Sequence, residues 1–325
     1  MNTRRPFLLS LLAGMAGLLL AGSAAAQSWP SKPIRVIVPY PPGGATDITA
    51  RVYGKYLQDA LGQTVVIENK AGAGGELGAE FVAKAPADGY IFLFGAIGSL
   101  AIHAVIPTQR PGYELSKAFV GVSMGSSVPL ALAIKSGLPA DSLKGLLELA
   151  KAKPNSLNYG SAGNGSTQHL TTEYFKQRTG IGMLHVPYRG SAPAITDLLG
   201  GQIDLVIETL PALSPHITNP RIRVLAVTTA KRTALLPQVP TLDELGVKGF
   251  DVSTLYGVLA PTGTPKAVID RLSAEMQKIA RMPEVQATLA QQGADAVAST
   301  PQETDALIKG EVEKWAKVAA AAKIE

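Results

Sequence analysis

The stretch that decides the fold lies near the start of the chain and reads Val36-Ile37-Val38-Pro39-Tyr40-Pro41-Pro42-Gly43-Gly44-Ala45-Thr46-Asp47. The apolar, β-branched run over residues 34–38 predicts a strand of a sheet that is covered on both faces. The prolines end this strand, and the two glycines allow a tight turn into a helix that Thr46 or Asp47 can cap. Free N–H groups at such a helix start suit a carboxylate or phosphate, although an ordinary structural connection explains the pattern equally well.

The same kind of unit recurs along the chain. A Gly-rich turn at residues 72–78 follows a strand at 65–69, and residues 95–99 follow a strand at 91–94. The stretches 160–169 and 185–194 repeat the pattern in the second half of the chain. Because turns after parallel strands open on one edge of a sheet, the alternation predicts an α/β fold with a ligand site at that edge.

The first 26 residues read as a signal peptide. Arg4 and Arg5 precede an apolar segment over residues 7–20, and Ala24-Ala25-Ala26 is a typical cleavage site. The apolar segment is shorter than the roughly 20 residues that a membrane span needs, which disfavours the alternative of an anchor. We therefore expect a periplasmic protein cleaved near Ala26, and the choice between general secretory and twin-arginine export stays open.

Composition excludes several classes of function. Removal of Arg4 and Arg5 lowers the formal charge from +5 to +3, and no basic run exists, so no nucleic-acid partner is expected. The absence of Cys excludes disulfides, thiolate metal sites and Cys nucleophiles. The four His residues show no metal-ligand spacing, so we expect neither a metal nor a cofactor.

The Gly/Ser-rich stretch over residues 160–169 invites three interpretations. A phosphate-binding P-loop would need Lys where Ser166 stands, and a hydrolase nucleophile elbow around Ser161 would need Gly where Tyr159 stands. An anion cradle needs only N–H groups, hydroxyls and a helix start, all of which are present. His169 in the same stretch keeps a secreted serine hydrolase as the runner-up.

Two further positions carry charge near predicted strand ends. Arg189 can pair with a solute carboxylate or with a surface acid. Glu208 and Thr209 end a strand at the edge where the Gly-rich turns open. Glu208 could receive an ammonium or a protonated group, or could simply start a helix.

The chain length and two predicted crossovers indicate two lobes. About 299 residues after the leader exceed the usual size of one domain. Two separate apolar runs, 119–123 and 130–134, suggest a crossover between lobes at 125–127, and 254–261 looks like the returning crossover. We expect lobe 1 at residues 27–127 plus 253–325 and lobe 2 at 128–252, with a short helix at 242–245 and C-terminal helices packed on lobe 1.

Taken together, these segments resemble the tripartite tricarboxylate transporter receptor family, extracytoplasmic solute-binding proteins also called Bug receptors. The matching segments cover nearly the whole chain after the leader; they are residues 40–44 with Asp47, Ala50 and Arg51, 71–75 with Gly78, 88–90, 160–163 with Gly165, Ser166, His169 and Leu170, 186–190, Gly201 with Asp204, 225–228, 240–242 with Glu244 and Gly246, and Ala260 and Pro261 with Gly263 and Pro265.

The resemblance implies a two-lobed Venus-flytrap fold of the type II-like class, in which each lobe has a mostly parallel sheet flanked by helices. It implies a non-enzymatic, monomeric receptor that closes on a small mono-, di- or tricarboxylate or amino acid and delivers it to a two-component membrane permease. A signalling role beside a sensor kinase is an alternative with the same fold. The implied ligand contacts are Tyr40, Pro42, Gly43, Gly44, Asp47, Ile97, Ser99, Ser161, Gly163, Ser166, Thr167, His169, Tyr188, Arg189, Gly190, Asp204, Glu208 and Thr209.

Two departures from the family pattern lie near these positions. His103-Ala104-Val105 replaces the usual Asn-Pro pair, and Glu208-Thr209 replaces the usual acidic–amide pair. The solute is therefore expected to differ from that of common family members.

Overall fold

The computed structural model describes residues 29–106, 108 and 111–322. The expected signal peptide lies outside them. The strands are β1 (Ile34–Val38), β2 (Val65–Asn69), β3 (Ile91–Ala96), β4 (Phe119–Lys135), β5 (Asn158–Ser161), β6 (Leu184–Pro187), β7 (Leu205–Thr209), β8 (Ile222–Val227), β9 (Ser253–Pro261) and β10 (Asp295–Ala296). The α-helices are α1 (Ala45–Leu61), α2 (Glu76–Ala83), α3 (Ile97–Val105), α4 (Leu115–Ala118), α5 (Leu143–Ala152), α6 (Thr167–Thr179), α7 (Ser191–Leu199), α8 (Leu210–Leu213), α9 (Lys266–Ala280), α10 (Pro283–Gln291) and α11 (Pro301–Ala322).

Two mixed sheets are joined through the long strand β4. In the first sheet, β2, β1 and β3 are parallel, and the antiparallel strands β9 and β4 continue it. In the second sheet, β6, β5 and β7 are parallel, and β4 pairs antiparallel with β7 and β8. The expected parallel cores are therefore present, and each carries antiparallel strands at the side that faces the other sheet.

The two apolar runs on either side of residues 125–127 belong to one strand of 17 residues, which makes the crossover expected there. Residues up to Pro129 pair with β9, and residues from Leu130 pair with β7. The register with β9 shifts between Met124 and Ser126. Gly125 is left unpaired with β9 at this irregularity, and the strand continues past it. The chain thus passes from one sheet to the other without a loop.

The C-terminal helix α11 touches both halves of the molecule. Trp315 is fully buried in one core cluster with Ile97 and Leu100 of α3. On the other side, Gln177 of α6 donates to the Val318 carbonyl at 2.9 Å. Besides the expected packing on the first half, α11 therefore also packs on α6, which follows a strand of the second sheet.

The helix expected at 242–245 is replaced by a turn. Thr241 and Glu244 form the reciprocal bonds of a capping box, at 2.8 and 3.0 Å. The helix does not continue, because Gly246 adopts a positive φ of 99°. Within the described ranges, no helix combines the length and apolar character that crossing a bilayer requires.

Candidate functional site

A cleft of about 810 Å³ opens where the strand-to-helix turns of the two sheets face each other. The turns after β1 and β3 form one wall, and the turns after β5, β6 and β7 form the other. Residues of β9 close its floor. The lining side chains and turns are Tyr40, Pro41, Pro42, Gly43, Gly44, Ala45, Thr46, Ile48, Gly74, Ala96, Ser99, His103, Ala162, Asn164, Gly165, Ser166, Thr167, Gln168, Arg189, Gly190, Ser191, Ala192, Pro193, Ile195, Thr196, Thr209, Pro211, Ala212, His216, Thr254, Tyr256 and Gln292.

The turn after β1 is organised around Asp47. Its Oδ2 accepts from the Gly43 N–H and from Arg51 Nε, both at 2.9 Å, while its Oδ1 accepts from Asn69 Nδ2 at 2.9 Å. Burial opposes ionisation, but the hydrogen bonds from Arg51, Gly43 and Asn69 keep the pKa of Asp47 below its usual range. Asp47 is only 3% exposed, so it shapes the turn and does not line the cleft.

Several of the described helices begin at the cleft without a side-chain cap, and α1, α3 and α7 are the longest of them. The N-cap residues of α1, α3 and α7 are Gly44, Ala96 and Gly190, and none makes a side-chain cap bond. Uncapped first turns leave backbone N–H groups that need an acceptor. Because the helix dipole is positive at this end, an anion in the cleft would satisfy these groups.

The loop before α6 is ordered by its own side chains. Ser166 caps the helix by accepting from the His169 N–H at 3.2 Å, and its hydroxyl donates to the Gly163 carbonyl at 2.7 Å. His169 Nδ1 accepts from the Gly165 N–H at 3.3 Å. Its ring stacks on His185 with centroids 3.9 Å apart. These contacts set the shape of the wall that Asn164, Gly165 and Ser166 present to the cleft.

Burial lowers the pKa of both stacked histidines to about 4. For His169 the charge of Lys176 adds to the effect, and for His185 the neighbouring His169 does. Both rings are therefore neutral at pH 7. This agrees with the acceptor role of His169 Nδ1, which a protonated ring could not fill.

The permanent charge on the cleft wall is Arg189. Among the residues that the structure describes, the lining contains His103 and His216 in addition, but no Asp, Glu or Lys. His103 Nδ1 bonds to Glu76 Oε1 at 2.8 Å, and Glu76 also accepts from the Tyr113 hydroxyl at 2.9 Å. The absence of acids from the lining, with Arg189 at its edge, favours an anionic occupant.

Unused hydrogen-bonding capacity is concentrated around the floor. Four buried side-chain atoms among the described residues have no partner: Tyr40 Oη, Thr171 Oγ1, Glu208 Oε2 and Thr254 Oγ1. Tyr40 and Thr254 line the cleft, and Glu208 bonds to two residues that do. A buried polar atom without a partner is costly, so the floor is built to receive polar groups.

Ten of the eighteen residues expected to contact a ligand line the cleft. They are Tyr40, Pro42, Gly43, Gly44, Ser99, Ser166, Thr167, Arg189, Gly190 and Thr209. The other eight do not: Asp47, Ile97, Ser161, Gly163, His169, Tyr188, Asp204 and Glu208.

Each residue outside the lining has a structural partner that explains its position. Asp204 precedes β7, at the end of the strand away from the cleft, where it accepts from the Asn158 N–H and pairs with Lys135. The Tyr188 hydroxyl donates to Asp197 at 2.7 Å. Ile97 is fully buried in the core, because residues 97–99 form the first turn of α3 and not a loop at the cleft.

Ser161 lies behind the wall, where its Oγ is 2.6 Å from His185 Nε2. This is the distance of a nucleophile and its base. However, Ser161 is only 1% exposed and does not line the cleft. The serine therefore has no access to a substrate in this arrangement.

Sequence reasoning missed several lining residues. Gln168 and Ser191 stand within quoted motifs and could have been included as helix-start side chains. Thr254 and Tyr256 lie on β9, where alternation gives no sign of a ligand-facing role. His216 reaches the cleft from a short 3-10 turn that no local signal predicted.

Comparison with known proteins assigns the family. The family model described as tripartite tricarboxylate transporter family receptor matches residues 49–324. Protein BugT of Bordetella pertussis is 39% identical over 317 residues, which cover 97% of this chain and 96% of that protein. A protein encoded in the tcbD-tcbE intergenic region of Pseudomonas sp. strain P51 is also 39% identical, over 95% of this chain and 92% of its own length.

Solved structures agree with this assignment. An R. palustris protein solved with adipate is 37% identical, with a TM-score of 0.83 over 91% of this chain and 99% of that one. MatC from Rhodopseudomonas palustris, solved with bound malate, is 28% identical, with a TM-score of 0.78 over 89% of this chain and 99% of that one. The α/β, two-lobed architecture of periplasmic binding proteins is thus common to all of them. The chain belongs to the tripartite tricarboxylate transporter receptor family.

Proposed function

We propose that this receptor captures a small organic carboxylate in the cleft and delivers it to a tripartite tricarboxylate-type membrane permease. The observation that carries the proposal is the charge of the cleft wall, which has Arg189 and the uncapped starts of α1, α3 and α7 but no acid among its described lining residues. Helix N–H groups and a guanidinium are suited to carboxylate oxygens.

The relatives support this class of solute. The two R. palustris proteins were solved with adipate and malate, which are both small dicarboxylates. His103 and Thr209, which depart from the family pattern, both line the cleft. We therefore infer that these side chains partly determine the preferred solute.

The proposed ligand contacts are the cleft-lining residues that the family pattern indicates, together with Gln168, Ser191, Thr254 and Tyr256. Asp47, Ser161, His169, Tyr188 and Asp204 are proposed to act by holding the turns in place. This division follows from the partners that the second group already has.

We further propose that residues 27–127 with 253–325 and residues 128–252 are the two lobes, and that solute binding closes them. Loops from both lobes would meet the solute only in the closed form, so binding would shift the population towards closure. A periplasmic location, after removal of the first 26 residues, and a monomeric state complete the proposal.

We infer that the protein is not an enzyme. The buried Ser161–His185 pair is the feature nearest to a hydrolase, and its lack of access to the cleft argues against that activity. A fluorophosphonate probe that labels the wild type but not Ser161→Ala would contradict this inference.

The proposal is tested by thermal unfolding in the presence of mono-, di- and tricarboxylates, amino acids and their neutral amides. We expect one group of carboxylates to raise the melting temperature, because a ligand that binds only the folded state stabilises it. Failure of every carboxylate to shift the transition would remove the carboxylate assignment.

A further inference from the structure

The two oxygens of Glu208 have very different surroundings. Oε1 accepts from Gln168 Nε2 at 2.7 Å, from the Thr209 N–H at 2.7 Å and from the Thr209 hydroxyl at 3.0 Å. Oε2 is buried and has no partner among the described residues. A neutral carboxylic acid has this asymmetry, since its carbonyl oxygen accepts while its hydroxyl oxygen carries a proton to donate.

The groups around the carboxyl line the cleft but bring no positive charge. Gln168 of α6 and Thr209 bond to it directly, and Ser191 of α7 lies 3.4 Å from Gln168 Nε2. Tyr256 of β9 faces the carboxyl from the other lobe. Burial raises the pKa of Tyr256, and the charges of Tyr40 and Glu208 raise it further. No salt bridge among the described residues includes Glu208, which is fully buried.

We propose that Glu208 is a specificity-determining residue that carries a proton directly behind the lining of the cleft floor and, once the lobes close on the bound acid, donates it from Oε2 to an acceptor oxygen of that acid. This inference rests on the proposed carboxylate-binding function. The proton comes from solvent and no covalent bond changes. A solute with an acceptor oxygen at this position is selected, and one with an ammonium group there is disfavoured, because ammonium offers only donors.

The proposal predicts that solute binding and protonation of Glu208 are linked. Burial raises the pKa of this carboxyl, although the bonds from Gln168 and Thr209 and the nearby Ser191 hydroxyl act in the opposite direction. A solute carboxylate nearby would raise the pKa further, because two negative charges at close range repel. Affinity should therefore be highest below the pKa of the free protein and fall by up to about tenfold per pH unit above it.

The first test is calorimetry with succinate, adipate and malate as probes from pH 5 to pH 9, in buffers of different ionisation enthalpy. For a probe that binds, the affinity of the wild type should fall as pH rises, and at the higher pH values binding should be accompanied by uptake of a proton. Affinity should fall less with rising pH in Glu208→Gln than in the wild type, because its amide can accept at one end and donate at the other without a titrating proton. Glu148→Gln serves as the matched control, since Glu148 is exposed on α5 and does not line the cleft; it should behave like the wild type.

Aspartate provides the opposing outcome, because it is succinate with an added ammonium group. Aspartate that binds more tightly than succinate, with a preference that Glu208→Gln abolishes, would show an ionised Glu208 and overturn the proposal. A wild type whose affinity does not change with pH would also overturn it.

A second measurement needs no solute and separates this proposal from the function it rests on. Infrared difference spectra of wild type minus Glu208→Gln at pH 6 should contain the carbonyl stretch of a protonated carboxyl group. Carboxylate bands in its place would refute a protonated Glu208 even if all probes bind. Conversely, if no probe binds while the protonated band is present, the proposed carboxylate-binding function is contradicted and the proposed protonation of Glu208 is supported.

Discussion

Arg189 supplies the permanent charge of the cleft wall, although the side chain is exposed and keeps part of its hydration. Replacing it with Gln should weaken carboxylate binding by about five- to thirtyfold, since a hydrogen bond to a charged group contributes roughly 1–2 kcal/mol at such a site. Calorimetry on Arg189→Gln measures this loss.

Arg281→Gln is the matched control, because Arg281 is exposed and lies outside the cleft lining. It should bind like the wild type, and neither variant should change the melting temperature of the free protein by more than about 2 °C, as expected for surface positions. Equal binding by wild type and Arg189→Gln would show that the guanidinium does not contact the solute.

The stacked pair of His169 and His185 predicts a loss of stability in acid. Both pKa values are lowered to about 4 in the folded protein, against about 6.5 in the unfolded chain. Between these two pKa values the unfolded chain binds protons that the folded protein does not. The free energy of unfolding is therefore highest above about pH 6.5 and falls as the pH drops towards 4. Each ring should contribute on the order of 2–3 kcal/mol.

The measurement is urea unfolding of the wild type and of His185→Asn at pH 7.5 and pH 4.5. The difference between the two pH values should be smaller in His185→Asn, which removes one of the two titrating rings. His216→Gln, which alters a histidine at the cleft and not in the stack, should keep the wild-type pH dependence. Identical pH dependence in all three proteins would contradict a neutral buried pair.

At the scale of elements, Gly78 determines how closely helix α2 approaches the first turn. A Cβ at this position would lie 2.7 Å from the Lys70 carbonyl oxygen and 2.7 Å from Pro39 Cβ. Because the first of these neighbours is backbone, Gly78→Ala should destabilise the protein by about 1–3 kcal/mol, the usual cost of overpacking. Urea unfolding measures the change.

Gly310 is the internal comparison, since it also lies within a helix but has open space around its Cα. Gly310→Ala should stabilise the protein by about 0.5–1 kcal/mol through the lower entropy of its unfolded chain. A stable Gly78→Ala variant would mean that the motif glycine is required for something other than close packing.

Elements with strong local signals could be predicted from the sequence, and those that depend on long-range pairing could not. The strand–turn–helix unit around Pro39 and the capping box at Thr300 both follow from residue chemistry within a few positions. The continuous strand β4 does not, because Gly125 and Ser126 look like a turn until β9 pairs with Met124 and Ser126 on either side of the irregularity. Similarly, the cleft contacts of Tyr256 depend on where β9 lies in the sheet, which no local pattern fixes.

The same limit applies to the candidate site. The turns were predictable because Gly and Ser before a helix indicate a tight turn or an N-cap. The direction of individual side chains was not, as Asp204 and Tyr188 show, since their partners Lys135 and Asp197 satisfy them away from the cleft.

At the scale of the whole molecule, the sheets meet along β4 and β9 while the cleft separates their turns. One direct contact already crosses between the walls, where Ser99 Oγ lies 3.3 Å from Thr167 Oγ1. Solute-driven closure should shorten the distance between labels on opposite lobes. The absence of native Cys allows paired labels at introduced cysteines, for example at exposed Asp59 of α1 and Lys144 of α5.

Energy transfer between these labels should increase when a bound carboxylate is added. A control pair at Asp59 and Glu284, which both lie on helices next to the first sheet, should show no change. Unchanged transfer for the first pair at saturating solute would rule out closure as the response to binding.

In the proposed function, the cleft recognises the negative charge of a small acid. The most direct test is a calorimetric titration of the wild type with the carboxylate that gives the largest thermal shift, and with the neutral amide of the same acid. We expect one solute per chain and an affinity at least about a hundredfold lower for the amide, because helix starts and Arg189 act on charge. Equal affinity for acid and amide, or no heat from any acid, would contradict recognition of the solute by its charge.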